Sequence, residues 1–278
     1  MILPTELIDY IMDILGDDLP ALQACSLTCR AMLASVRRLI HHTLYLTPEN
    51  DQSVPTRRDG LRSPKRNHND VELRFLSYAG ERGFLQYSRR VHIRMSHCFA
   101  PDALLPHLHH FQSLDRVHTL TIEDFYLPRW VPHYRTCFSH FHPTLTSLTL
   151  LRCLDYNKDR LLPGFVLQFP HLENLCVERV WELLRIGPQP LPDSTLTVDQ
   201  PPPLRGYLRL AGPDTLRQLA ACFACDLSTG VNFRSVELED FCDDQAQPIL
   251  NACAHTIERL TIILGSNGMH QLLLLSMG

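Results

Sequence analysis

Apolar positions follow a helical period over the first forty or so residues, and an alternating period from about residue 89 onward. In LPTELIDYIMDIL, residues 3–15, Leu7, Ile8, Ile11, Met12, Ile14 and Leu15 fall on one side of a helical wheel. At 100° per residue they span an arc of about 160°, with Asp9, Tyr10 and Asp13 opposite. Pro4 suits the first turn, where a missing N–H costs nothing, and Glu6 is well placed against the helix dipole. Gly16 ends this helix, and Asp17 or Asp18 caps a second one carrying Pro20 near its start, then Leu19, Leu22 and Cys25. A third helix carries Leu27, Met32, Leu33, Val36, Leu39 and Ile40, with Arg30, Arg37 and Arg38 on its wet side. Three helices in roughly 40 residues are near the lower limit for independent folding. An apolar arc this wide exceeds what two short neighbours bury. Its cover comes either from the rest of the chain or from a second protein packed against the helix face. Periodicity leaves both open.

A strand follows at Thr43–Leu46, and then residues 47–70, rich in Pro, Asp, Asn and Arg and nearly devoid of core formers. This reads as a polar linker, and its Arg57, Arg58, Arg62, Lys65 and Arg66 as a solvated charge run. Beyond residue 71 the chain repeats itself. Pairs of apolar residues at alternate positions recur as Val91/Ile93, Leu120/Ile122, Leu148/Leu150, Leu175/Val177, Leu208/Leu210, Val236/Leu238 and Leu260/Ile262. The first members are 29, 28, 27, 33, 28 and 24 residues apart. Val117, Leu145, Leu172, Phe233 and Ile257 add an earlier apolar position, giving the LxxLxL strand pattern of a leucine-rich repeat. Helix-like stretches such as PDALLPHLHHF lie between strands. The longest interval holds a proline-rich insertion at residues 187–206.

One strand and one helix bury no core alone, but stacked copies share one. With right-handed crossovers the expected fold is α/β: a three-helix unit (1–46, including the first strand), the linker (47–70), and an irregular solenoid of parallel strands and outer helices (71–278). Few Asn residues occupy the usual turn position after the strand, so the turns need another stabiliser. The chain stops at GMHQLLLLSMG, without a polar capping unit. Either this run tucks back as an improvised cap or the chain is a shortened form of a longer protein, and the second reading is preferred here.

Residues flanking the anchors point away from the core. They are Arg90, His92, Arg94, Thr119, Thr121, Glu123, Ser147, Thr149, Asn174, Glu178, Tyr207, Arg209, Ser235, Glu237, Glu239, Arg259 and Thr261. Their charge runs from basic on the first strand to acidic near the sixth, which suits a bipolar protein partner.

Composition narrows the chemistry. A formal charge of −4 argues against nucleic acid as the main partner, and no apolar run spans a bilayer. Glu6, Asp9 and Asp13 break up any secretory pattern, so a cytoplasmic or nuclear location is expected. The ten cysteines, scattered through apolar patterns, read as reduced core residues. Cys222-x-x-Cys225 has no second pair at zinc spacing, and His133, Cys137, His140 and His142 match no known ligand spacing. Neither metal nor cofactor is therefore expected. No nucleophile elbow, phosphate loop or dinucleotide fingerprint occurs, so no active site is expected either.

The order Leu3-Pro4-x-Glu6-Leu7, then Ile11, Leu15, Leu22, Cys25, Leu27 and Cys29-Arg30, resembles an F-box over about residues 2–42. Thr28 and Met32 stand where that family often has Val and an aromatic residue. With the repeats, the chain resembles the divergent fungal F-box proteins that carry leucine-rich repeats. The resemblance implies docking onto an Skp-type adaptor, and through it a cullin–RING ubiquitin ligase, with the repeats holding a protein substrate. By position the adaptor-binding residues would be Leu3, Pro4, Leu7, Ile8, Ile11, Leu15 and Leu22. The alternative is a repeat scaffold unconnected to ubiquitination, whose N-terminal helices cap the repeats.

Overall fold

A computed structural model describes residues 4–15, 18–28, 32–46, 83–95, 111–127, 137–156, 161–183, 203–212, 215, 219, 231–240, 243–266 and 269–276. Leu3, the linker 47–70, His133, Cys222, Cys225 and most of the proline-rich insertion lie outside these residues.

Three helices open the chain: α1 (Thr5–Leu15), α2 (Leu19–Thr28) and α3 (Leu33–Ile40). The Pro4 carbonyl accepts from the N–H groups of Leu7 and Ile8, and Asp18, of the two candidate caps, accepts from Ala21 N–H at 3.0 Å. Ile8, Met12, Leu22 and Val36 form the core of this unit, with Leu15, Cys25, Met32, Leu39 and Ile40 packed against it. Leu27 departs from expectation. It belongs to α2 and is 88% exposed, because that helix runs on to residue 28 and carries Leu27 off the buried side.

A two-residue link, His41–His42, joins the helical unit to β1 (Thr43–Leu46). The His41 ring stacks on Phe84 with centroids 4.5 Å apart, and the Arg37 guanidinium sits 5.5 Å from the same Phe84 ring.

The remaining strands are β2 (Arg90–Arg94), β3 (Thr119–Glu123), β4 (Ser147–Leu151), β5 (Leu154–Tyr156), β6 (Asn174–Glu178), β7 (Trp181–Leu183), β8 (Tyr207–Ala211), β9 (Ser235–Glu239), β10 (Arg259–Ser266) and β11 (Met269–Ser276). Nine of the eleven form one open sheet, ordered β1-β2-β3-β4-β6-β8-β9-β10-β11. The pairings from β1 to β10 are all parallel, and β11 returns antiparallel along β10, from Arg259↔Ser276 to Ser266↔Met269. The apolar run near the terminus thus folds back on its neighbour. A second, two-stranded sheet, β5-β7, was not expected, and Tyr126 extends it by a bridge to Leu154.

Register is set by the anchors. Leu44, Val91, Leu120, Leu148, Leu175, Leu208, Val236 and Leu260 align strand to strand without offset, and all are buried. A slip of one residue would turn a strand's whole apolar set to the other face, so burial enforces the alignment. Two α-helices, α4 (Leu161–Leu167) and α5 (Asp243–Cys253), and two short 3-10 helices, Leu85–Tyr87 and Ser139–Phe141, lie between strands among the described residues. All seven residues of α4 are buried despite Pro163 and Gly164, so packing rather than propensity holds it. The buried Asp155 carboxylate accepts from Leu162 N–H at 2.9 Å at its start. Phe125, Phe138, Phe165 and Phe169 fill the covered face, in edge-on contacts of 5.1 to 6.2 Å between ring centroids.

The turns are stabilised in three ways other than an asparagine ladder. Hydroxyls of Ser88, Thr144 and Thr256 donate to the carbonyls of His41, Val117 and Phe233, each three residues before an anchor of the preceding strand. Carbonyls ahead of the strands each accept two successive N–H groups from the next segment, as His118 does from Thr146 and Ser147. Residues just past the strands take positive φ: Asp124 at 58°, Arg152 at 54°, Arg179 at 56°, Gly212 at 95° and Asp240 at 55°. The double acceptor fails at one step, the 33-residue interval, where Tyr207 N–H bonds to Asn174 Oδ1 at 2.9 Å. Gly206 permits this close approach, since a Cβ there would lie 2.1 Å from that oxygen. Asn174 therefore serves the backbone, where sequence had offered it as a partner contact.

Candidate functional site

Two surfaces gather the candidate residues. The first is α1. With Leu7 set at zero on the wheel, Leu15, Ile8 and Met12 lie at about 80°, 100° and 140°, and Ile11, Ile14 and Tyr10 at about 40°, −20° and −60°. Exposure follows this angle: Met12 0%, Ile8 4%, Ile11 37%, Leu7 49%, Ile14 67% and Tyr10 64%. The apolar arc is thus split. One half, with Leu15 partly buried at its margin, faces α2 and α3. The other half, Leu7, Ile11 and Ile14 with Tyr10 alongside, is open. Pro4 is exposed as well. Ile8 and Leu22, offered from sequence as adaptor contacts, are instead core residues of the helical unit, because the wheel places Ile8 beside Met12. Ile14 and Tyr10 were missed as candidates, the latter having been assigned to the polar side.

The second surface is the uncovered face of the large sheet. Every flanking residue is at least partly accessible, and the charged ones are mostly paired across strands. Arg94 and Arg152 both bind the carboxylate of Asp124, at 3.0 and 2.7 Å, and Arg152 also reaches Glu123. His92 lies 3.3 Å from Glu123. Burial alone would raise the Asp124 carboxyl, but hydrogen bonds from Arg152 and Arg94 outweigh it and hold the group below its ordinary range. Two guanidinium groups against two carboxylates leave this cluster balanced. At the other end Arg209 lies 3.2 Å from Glu178, 3.3 Å from Glu237 and 3.2 Å from Glu239, while Tyr207 OH donates to Glu237 at 2.7 Å. One guanidinium against three carboxylates leaves two negative charges in excess. The run from basic to acidic expected along the face is therefore partly cancelled at its start. Asp124 and Arg152 are not among the flanking residues expected from sequence, because they sit one position past the strands, where the alternating period no longer applies.

Cys137, Cys176 and Cys253 are held protonated. Burial pushes Cys137 up to about 12 and Cys253 to about 11, and burial with the nearby Glu178 pushes Cys176 to about 12. Among the described residues no group of three or more His, Cys, Asp or Glu side chains is arranged to hold a metal ion, and no helix is long and apolar enough to cross a membrane.

Three histidines bear on stability. Burial lowers His41, His42 and His142, with Arg37 adding to the first, Arg90 and Arg89 to the second and His140 to the third. A folded-state value below the unfolded one means that the contribution is fully present above about 6.5 and is lost as pH falls from there through the lower folded-state value. The urea midpoint is expected to drop between pH 7.5 and 5.5, well above the carboxylate range where Asp124 adds a second loss. His142→Gln should flatten part of that drop. An unchanged midpoint over this window would contradict the assignment.

Compared with known proteins, the chain matches no family model, no curated protein and no solved structure.

Proposed function

We propose that this protein is the substrate-recognition subunit of an SCF-type cullin–RING ubiquitin ligase. In this reading α1 docks an Skp-type adaptor, and the sheet is an irregular leucine-rich-repeat solenoid whose open face holds a protein substrate. The observation that carries it is the open apolar stripe Leu7, Ile11 and Ile14, lying within the segment whose residue order resembles an F-box. The zero-offset register of the anchors supports the solenoid. The alternative, a scaffold whose helices only cap the repeats, called for this stripe to be covered by the chain itself. With half of Leu7 and two thirds of Ile14 accessible, that reading is less well supported.

Leu7→Asp/Ile11→Asp is the test. Docking removes only the still-exposed parts of Leu7 and Ile11 from water, 49% and 37%, for about 1–3 kcal/mol, and each aspartate would bring an unpaired carboxylate into that apolar contact, so the variant should lose adaptor binding by 100-fold or more. Its thermal midpoint should fall only modestly, since both side chains are partly exposed. Failure of the intact protein to retain an Skp-type adaptor in a pull-down would overturn the proposal.

A further inference from the structure

We propose that the open sheet face takes an extended segment of a partner protein carrying carboxylates at one end and a lysine or arginine about seven residues away. This rests on the reading of that face as the partner surface, and it specifies what chemistry the partner must bring.

The argument is one of uncancelled charge. Arg94, Arg152, Arg205, Arg209 and Arg234 are each paired with a carboxylate of a neighbouring strand or turn. Arg89 and Arg90 are different, and of the other open-face arginines Arg259, at the far side on β10, shares this state among the described residues. Among the described residues no carboxylate lies within ion-pair distance of either, and Arg90 is exposed at the start of β2 on the open face. His42 adjoins them, its carbonyl accepting from both of their N–H groups at 2.9 and 3.1 Å. After burial, these same two arginines hold the His42 ring below its ordinary range. A positive rim is therefore left at β1–β2, and the two-charge negative excess around Arg209 at β6–β9.

Between these poles the floor is uncharged and small. Thr121, Thr149 and Cys176 stand side by side in register on β3, β4 and β6. The charge-balanced cluster of Arg94, Arg152, Glu123 and Asp124 lies towards the strands' C-terminal ends. A segment can thus cross without meeting an unpaired like charge. From β2 to β9 the sheet order gives five steps, about 24 Å at 4.8 Å per step. An extended chain advances about 3.3 Å per residue, so about seven residues join the poles.

The test is a random linear dodecamer library displayed on phage and panned against the intact protein in 0.15 M salt. Enriched sequences should pair acidic and basic residues about seven positions apart. Fluorescein-labelled copies of them should bind about tenfold more weakly to Arg89→Gln/Arg90→Gln, and likewise to Glu237→Gln/Glu239→Gln. Shortening the spacing to three residues should cost a similar factor. Arg90→Gln alone, at an exposed position, serves if the glutamate variant fails to fold by circular dichroism. No enrichment, enrichment for one sign of charge alone, or affinity unmoved by either variant would each overturn the proposal. Adaptor pull-down with the same variants should be unaffected, because α1 is untouched. Loss of the ligase reading and loss of this one are therefore separately visible.

Discussion

Phe165→Ala should destabilise the protein by about 3–5 kcal/mol, the largest effect expected of any single substitution considered. Phe165 is fully buried on α4, and its ring lies 5.1 Å from Phe125, 5.4 Å from Phe138 and 5.5 Å from Phe169. Those neighbours come from different segments between β3 and β6, so the ring joins successive units of the core. Truncation removes its burial and three edge-on contacts, each worth about 0.5–1.5 kcal/mol beyond area. It also leaves a cavity that rings anchored on separate segments cannot readily close. Against a typical total of 5–15 kcal/mol, such a loss brings the folded state near its limit. Urea unfolding followed by circular dichroism measures it directly, and Phe165→Leu should cost markedly less. A loss below about 1 kcal/mol would mean that the aromatic cluster repacks freely.

Thr215→Val should cost about 2–3 kcal/mol although it preserves shape. Thr215 is fully buried, and its hydroxyl does two tasks. It accepts from Val180 N–H at 3.0 Å and donates to the Ala211 carbonyl at 2.9 Å. That carbonyl keeps a second donor, Arg179 N–H, but among the described residues Val180 N–H has no second acceptor, and burying it unmet carries the full desolvation penalty. Thr215→Ser retains the hydroxyl and should recover most of the loss. Equal urea midpoints for Thr215→Val and the parent protein would show that water reaches Val180.

The strands were readable from sequence because burial imposes a strict period of two on them. Each of the seven anchor pairs sits in register with its neighbours, and Thr43–Leu46 joins the same sheet. The three helices were readable for the same reason at a period of 3.6. Leu27 shows the limit of that logic, since periodicity does not say which of two adjacent helices owns a boundary residue. The split of the α1 arc was also hidden, because a wheel records where apolar side chains lie and not how far two short helices can cover them. On the open face, the residues of each strand were named correctly, but pairing between strands depends on neighbours some 30 residues away. Arg152 with Asp124 is the clearest case. The β5-β7 sheet was missed because its three-residue strands are too short to show any period.

The unvarying register has a consequence for how this chain tolerates change. From Leu44 to Leu260 the distance between successive anchors ranges from 24 to 47 residues, yet the pairing never shifts. Length is therefore unconstrained wherever a segment leaves the sheet, and constrained to the single residue within it. Insertions between strands leave the register intact where they fall outside buried connecting elements such as α4. One residue added inside a strand exchanges its two faces. The sheet is thus a fixed frame, and the exposed parts of its connections are where length can change without moving it.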